Sequence, residues 1–270
     1  MIKDITIGQY FPGNSVIHRL DPRMKILLIL ALIVVVFLCN NFVSLLAVAL
    51  MVVVLVAVSK IPFKTILKSI KPLIFVIAFT SVINLFYGTG EPLVTFWIFK
   101  ITYNGIMTAV FMTVRILCLV VIGSLLTYTT SPTALTDAIE ALMKPLTLVK
   151  IDVHTIAMTM TIALRFIPTL IEEIDKIMSA QKSRGADMEN GNLIQRSKAL
   201  IPVLIPLFIS SFRRANELAY AMECRCYRGG SGRTKMKRMK LGAIDYLSLG
   251  VVVAFYVGII VVNHYIPAVI

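Results

Sequence analysis

Charge is thin in this sequence, and acidic charge is thinnest. Only 15% of the 270 residues are charged, where an ordinary soluble domain carries roughly a quarter. Fourteen residues are Asp or Glu, and ten of those lie between positions 131 and 240. The long apolar runs therefore hold almost no carboxylates. Proton-coupled carriers need carboxylates or histidines within the membrane, so ion coupling by this chain is not visible. A phosphate-cradling GxxxxGK[ST] loop is also missing; GGSGR at 229–233 has the glycines without the spacing and reads as a basic connector. The three histidines, His18, His154 and His264, are scattered. The four cysteines form no cluster, and Cys224 and Cys226 at i,i+2 point apart on a helix, so no metal site is expected. A basic segment in the reducing cytosol gives no expectation of disulfides. The first 22 residues lack the short apolar core and small-residue cleavage site of a signal peptide.

What is present is apolar. Hydrophobic residues make up 58% of the chain and mean hydropathy is +0.86, which points to lipid as the solvent. The 27 Lys and Arg then report topology through the positive-inside rule rather than nucleic acid. Met24 to Ser59 is almost unbroken and too long for one crossing of about 20 residues. Asn40-Asn41 divides it into spans at about 24–39 and 42–59. Further spans are predicted at about 73–87, 104–127 and 243–263. Between the second and third, SKIPFKTILKSIKP sets Lys60, Lys64, Lys68 and Lys71 at helical spacing and reads as an interfacial amphipathic helix. The loop 88–103, with the single Trp, suits the outer interface. These five spans put the N-terminus in the cytosol and the C-terminus outside. One charge is out of place: Arg115 falls near the middle of the fourth span. It is a candidate structural charge, either a buried partner contact to a carboxylate or a snorkelling side chain at a shifted depth.

Residues 131–240 differ. They hold 17 of the 27 basic residues, and their apolar side chains recur at helical spacing, as in Ile156, Met160, Leu164, Ile167 and Ile171. This stretch reads as long amphipathic helices outside the bilayer, starting at Ser131-Pro132, kinked or interrupted at Pro168, Pro202 and Pro206, and stopped firmly at Gly229-Gly230. Two of these helices end alike. One closes on Ala180-Gln-Lys-Ser183-Arg184-Gly185, the other on Ala221-Met-Glu-Cys224-Arg225-Cys226. Small residues on either side leave each guanidinium unobstructed, and its planar five-donor fork fits a partner's carboxylates and carbonyls. A solvated helix-ending Arg, favoured by the macrodipole, is the plainer reading of either one alone.

The sequence resembles the transmembrane T component of energy-coupling factor transporters, relatives of the cobalt-transport membrane subunits. The resemblance covers nearly the whole chain and rests on GQYFPGNSVIHRLDPRMK at 8–25, LLTYTTSPTAL at 125–135, IALRFIPTLIEEIDKIMSAQKSRGAD at 162–187 and ANELAYAMECRCYRG at 215–229. It implies coupling helices whose two Ala-Arg-Gly-like motifs dock on two ABC-type ATPase subunits. Arg184 and Arg225 would be the contacts, flanked by Ser183, Gly185, Cys224 and Cys226. Cys226 stands where Gly is usual. A small substrate-binding membrane subunit would sit against the apolar faces.

The expected protein is thus an all-α integral membrane protein of about five transmembrane helices plus long cytosolic amphipathic coupling helices. Its expected parts are an N-terminal membrane domain at 1–130, a coupling-helix domain at 131–240 and a last transmembrane helix at 241–270. Its expected role is the coupling subunit of an ATP-driven uptake transporter for vitamins or metal ions in the cell membrane, without catalysis or cofactor of its own and without a nucleic-acid partner. A self-sufficient secondary transporter or channel is the alternative.

Overall fold

A computed structural model describes residues 10–86, 92–96, 99–186, 192–229 and 239–266. Helix dominates. A one-turn α1 (Val16–Arg19) leads into α2 (Pro22–Leu38), and α3 (Phe42–Ser59) follows. The chain then enters α4 (Phe63–Ile70), passes a 3-10 turn at Lys71–Leu73, and continues as α5 (Ile74–Phe86). A two-strand antiparallel ribbon, β1 (Pro92–Phe96) and β2 (Phe99–Thr102), comes next where the sequence suggests a loop. It is followed by α6 (Tyr103–Thr129), α7 (Pro132–Met143), α8 (Val153–Ser183), α9 (Leu193–Cys224) and α10 (Ala243–Tyr265). The glycine connector at 230–233, the basic run at 233–238 and Trp97 lie outside the described residues.

Among the described residues, those of Gly8–Ala138 and Arg238–Ile270 form one compact unit and those of Ile139–Lys237 another. The first unit is a helical bundle with a core of Leu28, Leu32, Val35, Val36, Val48, Phe111, Ile122 and Ile259, among others. Its outward apolar side chains, such as Leu46, Phe75 and Leu247, stay exposed, as they must when lipid replaces water around a bundle.

Five described helical stretches are long and apolar enough to cross a membrane: Phe42–Ser59, Phe63–Phe86, Tyr103–Thr129, Val153–Ser183 and Ala243–Tyr265. They differ from the sequence expectation in three places, the first being that the span expected at 24–39, carried by α2, is not among the five. The third stretch, Phe63–Phe86, takes in both the helix read from sequence as interfacial and the span expected at 73–87; α5 alone, at 13 residues, reaches about 20 Å of the roughly 30 Å hydrocarbon layer. Pro72 sits in the first turn of the new segment, where its missing N–H costs little, so the chain bends there without ending. The fourth stretch, α8, also qualifies by length and composition although the sequence places it outside the bilayer. Its apolar first half raises the average, while Glu172, Glu173, Asp175, Lys176 and Lys182 crowd its second half. At 17 residues α2 lies at the short end of the spanning range.

Long-range polar bonds staple the bundle at both ends. At one end Asp21 caps α2, accepting from the Arg23 backbone N–H at 2.9 Å, while its own N–H donates to Asp245 Oδ1 at 2.8 Å. Asp245 also accepts from the Gly242 N–H at 2.7 Å, so one carboxylate starts α10 and ties it to α2. Lys25, only 4% exposed, donates to the Thr129 carbonyl at 2.9 Å, Thr130 Oγ1 at 3.3 Å and the His18 carbonyl at 3.4 Å. All three ammonium donors are thus used. At the opposite end Asn41 caps α3, accepting from Ser44 N–H at 2.8 Å, and its amide reaches Asn263 Oδ1 at 3.2 Å. Asn263 in turn donates to the Leu38 carbonyl at 2.6 Å.

Arg115 is placed by the same logic. Its guanidinium donates to the carbonyl of Cys39, the residue that ends α2, and stacks over the Phe111 ring at 4.7 Å. Carbonyls at a helix end have no intrahelical donor, and inside a membrane no water supplies one. The cation therefore meets a helix end within its own bundle, and among the described residues no carboxylate pairs with it.

Candidate functional site

The second unit contains the two long amphipathic helices. Asp152 starts α8, accepting from Thr155 N–H at 3.1 Å and Thr155 Oγ1 at 2.5 Å. These bonds to the charged form hold its carboxyl below the usual carboxylate value. Asn192 starts α9 with Gln195 reaching back to its N–H at 3.2 Å, a reciprocal capping box. Pro168 lies inside α8, and Pro202 and Pro206 lie inside α9. None of them ends its helix. The expectation of possible interruption therefore gives way to continuous helices of 31 and 32 residues, because packing along their length outweighs a few missing N–H donors.

The two helices run antiparallel against each other. Gln181 Nε2 donates to the Pro202 carbonyl at 3.4 Å. Midway, Arg214 pairs with Glu173 at 2.6 Å, and Ser210 donates to the same carboxylate. Farther on, the Tyr227 hydroxyl meets Met158 S at 3.1 Å. Position rises along one helix as it falls along the other. Arg184 therefore lies at one end of the pair and Arg225 at the other, on the order of 30 Å apart at about 1.5 Å per residue.

Each arginine occupies the same structural position. Arg184 is the C-cap of α8 and Arg225 the C-cap of α9. After each comes a left-handed residue: Gly185 at φ 87° and Cys226 at φ 56°. The hydrogen bonds coincide as well. Gly185 N–H donates to the Lys182 carbonyl at 2.9 Å and Ala186 N–H to Gln181 at 3.0 Å. Cys226 N–H donates to Glu223 at 2.8 Å and Tyr227 N–H to Met222 at 3.0 Å. Both ends are Schellman motifs. The small–Arg–small triplet is thus the last helical residue, the cap, and the reversal. Glycine suits the third place because φ is positive there; Cys226 accepts that conformation with its side chain present. The helix of α9 stops at this reversal, ahead of Gly229.

Ala180, Ser183, Arg184, Gly185, Ala221, Cys224, Arg225 and Cys226 are all exposed. Among the described residues neither Arg184 nor Arg225 has a side-chain partner in hydrogen bonding or ion pairing. Each guanidinium is thus free to meet an acceptor on another molecule. Sequence reasoning finds the two triplets but misses the Glu173, Ser210 and Arg214 cluster that locks the helices in register. An acid and a base 41 residues apart carry no local signal.

Comparisons with known proteins agree along the whole chain. Residues 13–236 match the family model described as "Cobalt transport protein" (CbiQ). A protein of Ruminiclostridium cellulolyticum called energy-coupling factor transporter transmembrane protein EcfT is 52% identical, covering 98% of this chain and 99% of the relative. Bearing the same name, a Clostridium kluyveri protein is 53% identical over 92% and 93% of the two chains. A third such protein, from Bacillus subtilis, is 42% identical over 88% and 91%.

Proposed function

Because this chain belongs to the cobalt transport protein family, we propose that it is the transmembrane coupling component of an ATP-driven energy-coupling factor transporter for vitamins or metal ions. In this reading it joins two ABC-type ATPase subunits to a small substrate-binding membrane subunit and catalyses nothing itself. Arg184 and Arg225, with Ser183, Gly185, Cys224, Cys226, Ala180 and Ala221 around them, are the ATPase contacts. Residues 1–130 and 241–270 hold the membrane helices, and 131–240 form the coupling domain on the cytosolic side. The N-terminus is then cytosolic and the C-terminus external.

One observation carries the reading. Two identical helix ends, each offering an exposed arginine, sit at opposite ends of one antiparallel helix pair. Two equivalent partner subunits need two equivalent handles, and a rigid rod between them would transmit movement of either one. The charged second half of α8 and its ion pair to α9 support a position outside the hydrocarbon, where such a cluster needs no desolvation.

The test is co-purification in detergent of the chain with its ATPase and substrate-binding partners. Arg184→Ala and Arg225→Ala together are expected to release both ATPases while membrane insertion stays normal. Retention of both by the double variant would overturn the assignment.

A further inference from the structure

We infer that α4 is a binding site for anionic phospholipid headgroups, built from a fixed lysine stripe at one end of the membrane bundle. The inference is independent of the coupling role and needs only that the bundle sits in a bilayer.

Helix α4 and the turn after it divide into three stripes at about 100° per residue. Ile66 and Ser69 face the bundle. Ile66 is buried in a cluster with Ile61, Leu125 and Tyr128. The Tyr128 hydroxyl donates to the Thr65 carbonyl at 3.3 Å and shares a hydrogen bond with Ser69 Oγ. Phe63 and Leu67 form the second stripe, 67% and 48% exposed. Lys64, Lys68 and Lys71 form the third, all exposed and adjoining the second. Lys60, in a left-handed conformation at the end of α3, extends the charge.

The depth follows from α6. Its 27 residues span about 40 Å, more than the roughly 30 Å hydrocarbon layer, so its terminal turns emerge into the headgroups. Leu125 and Tyr128 belong to those turns, and they are what α4 packs on. The apolar stripe thus reaches toward acyl chains while the ammonium groups lie at phosphate level, the arrangement of an interfacial amphipathic helix.

The occupant follows from charge. No Asp or Glu occurs between Asp21 and Glu91, so the lysines have no acid nearby in sequence, and no ion pair to them is found among the described residues. Four cations along α4 and its flanks, held by a docked helix, attract an anionic surface with each contributing additively. A zwitterionic headgroup carries no net charge to answer them. Compact, strongly hydrated ammonium groups suit headgroup phosphates as point charges.

The experiment is native mass spectrometry of the purified chain in detergent, titrated separately with phosphatidylglycerol and phosphatidylcholine. The wild type is expected to retain phosphatidylglycerol in preference. The Lys64→Gln, Lys68→Gln, Lys71→Gln triple variant is expected to weaken that preference, by up to about a hundredfold. The corresponding triple Arg variant keeps the charge and is expected to keep the preference, which separates loss of charge from loss of fold. An unchanged preference in the Gln variant overturns the proposal. So does a Gln variant that sheds a protein partner while its lipid preference stands, which would make the stripe a dock for an acidic protein surface.

Discussion

Gly185 and Cys226 occupy the same left-handed position, one residue past the arginine that caps each long helix, and they close the same pair of backbone hydrogen bonds. A side chain at such a position costs about 1 kcal/mol relative to glycine. Cys226→Gly should therefore stabilise the end of α9 by about that amount. Gly185→Ala should destabilise the end of α8 similarly. Thermal unfolding of the purified chain in detergent would measure both, and shifts of the same sign would contradict the shared geometry.

The Glu173–Arg214 pair is half-buried, and Ser210 donates to the same carboxylate. Removing the carboxylate leaves two donors unanswered. Glu173→Ala should cost about 1–2 kcal/mol of packing between α8 and α9. Arg214→Ala should cost less, because the carboxylate keeps Ser210. A double-mutant cycle on unfolding midpoints would show a coupling that weakens in high salt; strict additivity would refute the pairing.

Arg115 holds the carbonyl that ends α2. Replacing it with Leu strips a charged donor from a helix end that water cannot reach. The expected loss is about 1.5–3 kcal/mol, seen as a lower unfolding temperature with insertion unimpaired. Arg115→Lys should recover part of it through the remaining ammonium. A Leu variant as stable as the wild type would show that the carbonyl finds another donor.

Burial would by itself raise the Asp21 carboxyl, yet hydrogen bonds from the Arg23 side chain and backbone N–H hold it below the usual carboxylate value. A depressed folded value means that ionised Asp21 stabilises the fold above its unfolded value of about 3.9. That contribution is complete near neutral pH and lost as pH falls through the folded value. Asp21→Asn keeps a capping side chain but loses the ion pair to Arg23, so it should lower stability at pH 7 by about 0.2–1 kcal/mol and flatten the acid limb of the stability curve. An acid limb as steep in the variant as in the wild type would remove Asp21 from the account.

The candidate contacts were legible in the sequence to different degrees. Ser183-Arg184-Gly185 carries its own explanation, since glycine after a run of helix formers announces a reversal. Cys224-Arg225-Cys226 does not, because cysteine has no preference for positive φ; only the spacing from Ala221 and the likeness to the first triplet mark it. The boundary after α4 was legible as well. Lysines and Pro72 suggest a break between an interfacial helix and a span, and the structure places a 3-10 turn at Lys71–Leu73 there, with helix on both sides of it.

By itself the sequence determined the membrane class, the division between apolar runs and the charged middle segment, and the helix ends, because these depend on neighbours within a few residues. Tertiary structure alone decided which donors and acceptors meet. Arg115 finds Cys39 76 residues away, Lys25 finds Thr129 104 away, and Asp245 and Asn263 reach back 224 and 225 residues to Asp21 and Leu38. Periodicity states which face of a helix is apolar; it does not state which distant carbonyl that face will bring within reach. In a medium without water each such carbonyl must find a donor, and only the packed bundle determines where that donor comes from.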